Sequence, residues 1–390
     1  MKITEVKAIT LRCSCEPIHD ALSTSGVRQA VLVEIRTDTE LRGIGEAFTY
    51  GAPMHVMKYL EEELLGPMLL GRDPEDTEEL FQLMYWRTIA SGRRSMTLGA
   101  ISGIDIALWD LRGKAAGKPV AALLGAVMDR VPSYTSGGFY APGKGLDGLR
   151  AEVEGYLRKG YRDAKIKIGR NLDRQSPLRY MADQTDAVTV EEDWKRMELV
   201  RSLLPTDGTF LVDTNASWTA QEVLDNADGL RRAGVNWIEE PVPFEDMEGY
   251  RRIRTELPEL KVIGCETQQG VGNFETMLQF EALDIVQPDV GWAGGITSVR
   301  RIGEAAARRR KSISLHCFGS AVLFAASLQV AAAMPNTVMM ESEENPNPLK
   351  EALARAPFQA DEHMSFYVPD GPGLGITLDP EALERFAVSV

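Results

Sequence analysis

One short stretch decides the fold of this chain: Ala164-Lys165-Ile166-Lys167-Ile168-Gly169. Apolar side chains alternate in it with two lysines. Because neighbouring side chains of a β-strand point to opposite faces, both lysines face one side and the alanine and isoleucines face the other. In a parallel barrel, the apolar face of a strand packs on the surrounding helices while the other face lines the interior. The alternation therefore predicts a barrel strand whose lysines point inward.

The chain beyond this strand repeats one pattern, an apolar run that ends in an ionisable residue. From the first of them onward, these residues recur every 23 to 27 positions, the length of one strand plus one crossover helix. They are Asp213, Glu239, Glu266, Asp289, His316 and Glu341. Charge at the same end of successive buried strands indicates a shared site at the carboxyl ends, where barrel enzymes carry their chemistry.

Strand–helix alternation begins near residue 131 and predicts a parallel sheet with right-handed crossovers. Eight such units predict closure. The expected fold class is α/β, a (β/α)8-type or modified TIM barrel. Helices are expected between the strands, for example over 220–232 and 296–310. The expected strands lie near residues 131–136, 163–168, 209–214, 235–240, 261–266, 284–289, 312–317 and 338–342.

The residues before the barrel predict a separate α+β domain, since 390 residues exceed one ordinary core. Its pattern predicts strands over 1–12 and 29–48, a polar loop over 15–26, and helices over 56–70, 77–88 and 98–111. A turn-rich tail then becomes strand-like. We expect a capping domain (1–125), a catalytic barrel (126–360) and a C-terminal segment (361–390) that returns to the capping domain.

Composition excludes several classes of function. The net charge of −14 argues against a nucleic-acid surface, because nothing would neutralise phosphates. No apolar run approaches membrane-spanning length, and no signal peptide is visible at the N-terminus. Four cysteines in a chain of this size do not form a disulfide framework, so we expect a reduced, cytoplasmic protein. A zinc site at Cys265, His316 and Cys317 is disfavoured, because the last two point to opposite faces of one strand.

Three of the strand-end acids suggest a metal site. Asp213, Glu239 and Glu266 end consecutive strands, and three converging carboxylates repel one another unless a cation neutralises them. Oxygen donors of this kind select Mg²⁺ or Mn²⁺. The alternative is that each carboxylate caps a helix or pairs with an arginine. Glu240, next to Glu239, is expected to point outward by strand alternation.

The lysines and the histidine suggest acid–base chemistry. If Lys165 and Lys167 both face the interior, each disfavours the charge of the other and lowers its pKa toward neutrality, as a general base requires. Asp289 and His316 end adjacent strands, and a carboxylate on one ring nitrogen would fix the tautomer and raise the basicity of the other. Glu341 on strand eight is placed to hydrogen-bond a substrate oxygen. The alternatives are lysines on a solvated face and a histidine packed in the core.

Together these motifs resemble the enolase superfamily, and within it the mandelate racemase subgroup of the mandelate racemase/muconate lactonizing enzyme family. The resemblance spans nearly the whole chain. It rests on the capping domain, Lys165-x-Lys167, Asp213-x-Asn215, Trp237-Ile238-Glu239-Glu240-Pro241, Gly264-Cys265-Glu266, Pro288-Asp289, His316, Glu341 and Pro372-Gly373-Leu374-Gly375. The muconate cycloisomerase subgroup carries a lysine near the end of strand six, where this chain has none, so the histidine subgroup fits better.

The resemblance implies roles for these residues. It assigns a magnesium ion to the three acids and the bases to Lys167 and to His316 with Asp289. Lys165 would tune Lys167 and contact the substrate carboxylate, Asn215 would bind substrate, and Glu341 would give electrophilic help. Self-association is likewise implied only by resemblance.

The reaction expected from the resemblance is dehydration of a sugar acid, by abstraction of the proton α to the carboxylate. A sugar-acid lactone cycloisomerase is the nearest alternative, followed by a racemase or epimerase with the same enediolate chemistry. A two-metal hydrolase would need more histidine ligands than the four in the chain allow. A non-catalytic sugar-acid binder would have lost the bases. An insertion at 170–189 and Thr267-Gln268-Gln269 depart from the family pattern, so the substrate is not specified.

Overall fold

The computed structural model describes residues 1–92, 94–171 and 187–390. Its first element is an antiparallel sheet of strands β1 (Ile3–His19), β2 (Thr24–Thr37) and β3 (Arg42–Ala47), in that order across the sheet. The first two strands form a long hairpin whose turn is closed by Asp20, because its Oδ1 accepts hydrogen bonds from the N–H groups of Leu22 (2.8 Å) and Ser23 (2.6 Å).

The polar loop expected over residues 15–26 is wrong. Ile18 pairs with Ser25 and His19 pairs with Thr24, so both strands continue almost to the turn. A two-stranded ribbon that projects beyond the rest of the sheet needs few apolar side chains, and its polar sequence therefore resembles that of a loop.

Helices pack against one face of this first sheet. The segment expected as one helix over 56–70 divides into α1 (Met54–Tyr59), a π-helical stretch (Leu60–Leu65) and α2 (Gly66–Leu69). Then come α3 (Thr77–Gly92), α4 (Met96–Ala116) and α5 (Val120–Leu124). The long helix α4 is nearly all buried and packs against β3, α3 and the barrel.

The barrel is closed and has eight parallel strands, which confirms the predicted fold class. A short strand β4 (Arg130–Val131) precedes it. The barrel strands are β5 (Ser133–Gly137), β6 (Ala164–Lys167), β7 (Phe210–Asp213), β8 (Trp237–Glu239), β9 (Lys261–Gly264), β10 (Ile285–Val286), β11 (Ser312–Leu315) and β12 (Thr337–Glu343). Lys167 pairs with Asp213, and Asp213 pairs with Glu239, so the ends of three neighbouring strands lie at one level.

Helices follow the strands on the outside. They are α6 (Leu146–Lys159), α7 (Val190–Leu203), α8 (Ala220–Asp225), α9 (Ala227–Arg232), α10 (Met247–Glu256), α11 (Val271–Gln279), α12 (Gly295–Arg308) and α13 (Ala321–Ala331). The tail contains α14 (Pro348–Ala352), β13 (Phe366–Tyr367) and α15 (Pro380–Phe386). The helix expected over 220–232 is interrupted at Asn226.

The C-terminal residues contact the N-terminal part of the chain. The N–H of Leu374 donates to Asp110 Oδ1 on α4 (2.8 Å), and the N–H of Val388 donates to the carbonyl of Thr10 on β1 (2.9 Å). The division at residues 125 and 360 remains a prediction. In the described part of the chain, no helix is both long enough and apolar enough to cross a membrane.

Candidate active site

Three carboxylates meet at the carboxyl ends of β7, β8 and β9. Asp213, Glu239 and Glu266 are all buried, and each offers an oxygen within 4.8 Å of the others. Cys265, in a left-handed conformation (φ 81°), turns the chain at the end of β9 just before Glu266. The structure therefore brings together the three acids for which the sequence pattern predicted a metal site.

The electrostatics of these acids favour a bound cation. Burial and the charge of Asp213 hold the pKa of Glu239 well above its usual value. Burial also opposes the charge of Asp213, but Lys167 and Lys165 outweigh it and hold its pKa below the usual value. Glu266 Oε2 is buried without a hydrogen-bond partner. Three converging carboxylates, one of which has an oxygen that accepts no hydrogen bond, fit a hard divalent cation.

The two lysines of β6 point into the barrel, as expected, and both are buried. Lys165 Nζ lies 2.5 Å from Glu239 Oε1, 2.8 Å from Glu341 Oε1 and 3.6 Å from Asp213 Oδ2. Lys167 Nζ forms an ion pair with Asp213 and lies 5.1 Å from the ring centroid of Phe139.

The predicted lowering of the lysine pKa values is wrong for this arrangement. Burial opposes the charge of both lysines, and Lys165 lowers the pKa of Lys167 as expected. The charges of the nearby carboxylates outweigh these two effects, however. Glu239 and Glu341 hold the pKa of Lys165 above its usual value, and Asp213 does the same for Lys167.

His316 and Asp289 form a buried hydrogen-bonded pair. His316 Nδ1 lies 2.7 Å from Asp289 Oδ2, and Asp289 Oδ1 accepts the N–H of Gly291 at 2.7 Å. His316 Nε2 faces Glu266 Oε2 at 3.5 Å and Glu341 Oε2 at 3.7 Å. Burial disfavours the imidazolium, but Glu266, Glu341 and Asp289 outweigh it and raise the pKa of His316 to about 9. The second ring nitrogen is therefore directed at the acidic cluster.

Glu341 and Asn215 lie around this cluster. Glu341 contacts Lys165, and its Oε2 accepts the N–H of Cys317 at 3.3 Å, so it lies in the barrel interior below the open cavity. Asn215, in a left-handed conformation (φ 43°), borders the cavity and donates its N–H to Asp213 Oδ1 at 2.8 Å. Its side-chain Oδ1 is buried without a partner.

Glu240, which was expected to point outward, is buried. Strand β8 ends at Glu239, and Glu240 has a left-handed backbone (φ 39°), so the alternation does not extend to it. Its side chain is buried against Gly264, where an added Cβ would lie 3.2 Å from its Cγ. Burial and the charges of Glu266 and Asp213 raise the pKa of Glu240 to about 8.

A cavity of about 400 Å³ opens above Lys167, Glu266 and His316. Residues of the first sheet close one side of it. The ring of Tyr50 stacks on His316 at a centroid distance of 6.0 Å, and its hydroxyl donates to the backbone carbonyl of Glu266 at 2.6 Å. Phe48 lies 5.7 Å from the same imidazole. The hairpin turn and residues near Tyr50 border the cavity. Most of the insertion that departs from the family pattern (172–186) lies outside the described residues.

Sequence reasoning missed two further contributors. Gln287 Nε2 donates to Glu239 Oε2 at 2.9 Å and thereby orients that carboxylate. Arg28 of β2 forms an ion pair with Glu343 at the end of β12. Spacing could have indicated Gln287 and Glu343. Gln287 precedes Asp289 by two positions and Glu343 follows Glu341 by two, and side chains two positions apart share one face of a strand.

Comparison with known proteins identifies relatives of the whole chain. Residues 148–382 match the family described as enolase C-terminal domain-like, and residues 3–125 match the mandelate racemase/muconate lactonizing enzyme N-terminal domain. The chain is 33% identical over 373 residues to arabinonate dehydratase of Saccharolobus solfataricus, covering 94% of both chains. It is 32% identical over 397 residues to D-galactarolactone cycloisomerase of Agrobacterium fabrum, covering 99% of both.

A solved structure shows the same architecture. The crystal structure of a racemase from Streptomyces coelicolor with bound magnesium matches 99% of this chain and 100% of its own, with a TM-score of 0.87 and 26% sequence identity.

Proposed function

The chain belongs to the mandelate racemase/muconate lactonizing enzyme family of the enolase superfamily, and on that premise we propose that it is a Mg²⁺-dependent sugar-acid dehydratase. The reaction removes the proton from the carbon α to the carboxylate and expels the β-hydroxyl. The products are one water and an enol that becomes a 2-keto-3-deoxy acid. The observation that carries this proposal is that Lys167 and His316 border one cavity together with the metal-site residue Glu266.

Asp213, Glu239 and Glu266 would hold the ion, and Glu266 Oε2 accepts no hydrogen bond that would compete with it. When bound, Mg²⁺ supplies positive charge that stabilises the substrate carboxylate as it gains electrons from the α-carbon. Lys165 has a fixed place beside Glu239 and Glu341, from which it maintains positive charge near that carboxylate.

Two groups of this chain can move protons on the substrate. Lys167 Nζ ends β6 and His316 follows β11; these strands are separated by two strands on one side of the barrel and by four on the other. The two groups therefore approach a molecule in the cavity from different sides. Asp289 occupies His316 Nδ1, which leaves Nε2 to face the cavity. A cation held by the three acids would offset the carboxylate charges that raise the pKa of both groups. One group can then remove the α-proton while the other protonates the departing hydroxyl, which is general base and general acid catalysis.

A lactone cycloisomerase is the second candidate, because the similarity to D-galactarolactone cycloisomerase covers 99% of both chains. The proton-abstraction step would be the same. The difference is the leaving group, which in a lactone is the ring oxygen and stays attached to the product. Dehydration therefore lowers the mass by one water, whereas cycloisomerisation conserves it.

The test is a panel of sugar acids and sugar-acid lactones incubated with the Mg²⁺-loaded protein. Products are detected as 2-keto acids and weighed by mass spectrometry. A dehydratase gives a 2-keto-3-deoxy acid lighter than its substrate by one water. A product of unchanged mass from a lactone supports the second candidate, and absence of any keto acid or epimer across the panel contradicts both.

A further inference from the structure

An ion pair joins the first sheet to the barrel at the mouth of the cavity. Arg28 on β2 borders the cavity, is 5% exposed, and pairs through Nη2 with Glu343 Oε1. Its guanidinium carbon lies 4.5 Å from the ring centroid of Phe318, and that ring stacks on His316 at 6.4 Å. Arg28 therefore lies one aromatic ring away from the residue proposed to move protons.

Glu343 is the mouth-side counterpart of Glu341. The two acids are two positions apart on β12 and share one face, so Glu343 lies about 6 to 7 Å closer to the mouth. Its Oε2 accepts a hydrogen bond from Asn347 Nδ2 at 3.2 Å, and its side chain is 1% exposed. Burial raises the pKa of Glu343 to about 6 against the opposing charges of Arg28 and Lys350. Near pH 8 the pair therefore consists of one positive and one negative charge.

The two ends of the cavity differ in charge. At the floor, Lys167 and His316 accompany the metal site, and a bound ion adds further positive charge. At the mouth, Arg28 is the only cationic side chain among the described residues of the lining, and Glu343 neutralises it. The other described polar groups there are neutral or acidic: Asp20, Ser23, Thr24, Ser25, Gln29, Thr49 and Asn347.

We propose that the Arg28–Glu343 pair restricts the site to acids with a single carboxylate, whose far end is a neutral hydroxyl or lactone group. This inference rests on the proposed function, which directs the reacting carboxylate to the metal at the floor. A second carboxylate at the mouth would lose its hydration beside Arg28, whose charge Glu343 already neutralises. A hydroxyl can accept from the guanidinium without that cost. The pair therefore acts as a repulsive element against dicarboxylates.

The experiment compares binding of matched acids to the Mg²⁺-loaded protein by titration calorimetry at pH 8. The two acids of each pair have the same sugar configuration and differ only at the far end. The pairs are galactonate with galactarate, gluconate with glucarate, and mannonate with mannarate. For at least one pair, the monoacid is expected to bind at least tenfold more tightly than the diacid. Glu343→Gln removes the negative charge that neutralises Arg28. It is expected to lower the ratio of the diacid dissociation constant to the monoacid dissociation constant at least tenfold.

Glu344→Gln is the matched control. Glu344 is the next residue, but its carboxylate pairs with Lys159 (2.6 Å) and Tyr161 (2.7 Å) away from the cavity, so the ratio should stay as in the unmodified protein. Thermal melting shows whether each variant is folded.

Three results overturn the inference: diacids that bind as tightly as monoacids, a ratio unchanged in Glu343→Gln, or no binding by any member of the panel. Failure of the proposed function is distinguishable. In that case monoacids still bind selectively, but their α-protons do not exchange with solvent and no keto acid forms.

Discussion

Glu46 of β3 accepts hydrogen bonds from both the backbone N–H (2.9 Å) and the hydroxyl (2.5 Å) of Ser320, the residue that precedes α13. The N–H of Leu323 donates to the same carboxylate at 2.9 Å. An acid of the first sheet thus satisfies the N-terminus of a barrel helix, where unpaired N–H groups and the helix dipole favour an anion. Because α13 follows the strand that leads to His316, this contact fixes the first sheet beside the proposed base.

A second acid makes the same kind of contact one helix earlier. Asp105 of α4 accepts the N–H of Thr297 at 2.9 Å, at the start of α12, which follows the strand that leads to Asp289. Both helices behind the histidine–aspartate pair therefore donate backbone N–H groups to acidic side chains from the N-terminal part of the chain. The cavity wall formed by Phe48 and Tyr50 depends on this attachment, since both residues follow Glu46 directly on the chain.

The first prediction concerns this attachment. Glu46→Ala leaves the N–H groups of Ser320 and Leu323 buried without their acceptor, which costs about 1–3 kcal/mol for each unsatisfied group. We expect lower stability in urea at pH 6 and a higher KM, because the wall beside His316 loosens. Glu40→Ala, at an exposed position in the turn between β2 and β3, is the control. Equal stability of the two variants would contradict the attachment role.

The second prediction concerns pH. Burial raises the pKa of Glu46 to about 7 against its hydrogen bonds with Ser320, above its value in an unfolded chain. The folded state therefore binds more protons, and this group's contribution to stability is present below about pH 4.3 and is lost as the pH rises to about 7. Glu46→Gln cannot ionise. The stability of the unmodified protein relative to Glu46→Gln should fall from pH 5 to pH 8 in paired urea titrations, and a difference that stays constant or grows would contradict this.

The third prediction concerns the metal. Glu266→Gln replaces a carboxylate by a neutral amide in a site that depends on negative charge. The dissociation constant for Mg²⁺, measured by calorimetry, should therefore rise at least tenfold. Glu275→Gln, a half-exposed acid on the helix that follows, should bind Mg²⁺ normally. A chelator should abolish activity and Mg²⁺ should restore it. Restoration by zinc alone, or equal Mg²⁺ affinity in both variants, would show that the triad does not hold this ion.

Part of this structure follows directly from sequence periodicity. Seven of the eight barrel strands could be predicted because each is a short apolar run with an ionisable residue at its end, and because side-chain alternation places Lys165 and Lys167 on one face. The convergence of Asp213, Glu239 and Glu266 follows from the same pattern, since parallel strands end at one edge of a barrel.

The features that were missed depend on contacts between distant segments or on irregular backbone. Strand alternation does not describe Glu240, because the backbone becomes left-handed there. The lysine pKa values depend on carboxylates 46 or more positions away in the chain, such as Asp213 opposite Lys167. The Arg28–Glu343 pair joins residues 315 positions apart, and no local pattern marks such a partner.

The measurement that tests the two-base mechanism most directly is α-proton exchange of a sugar-acid substrate in D₂O, followed by NMR alongside turnover. Lys167→Ala and His316→Asn are compared with two exposed counterparts, Lys195→Ala and His363→Asn. The two controls should match the unmodified protein. Loss of the base should abolish exchange and turnover together, whereas loss of the acid should stop elimination and leave exchange. Each turnover defect should be about 10²- to 10⁴-fold, the usual value of general acid–base catalysis. A His316→Asn protein that is less stable but keeps nearly full turnover per folded molecule would instead show a core histidine, and would contradict the mechanism.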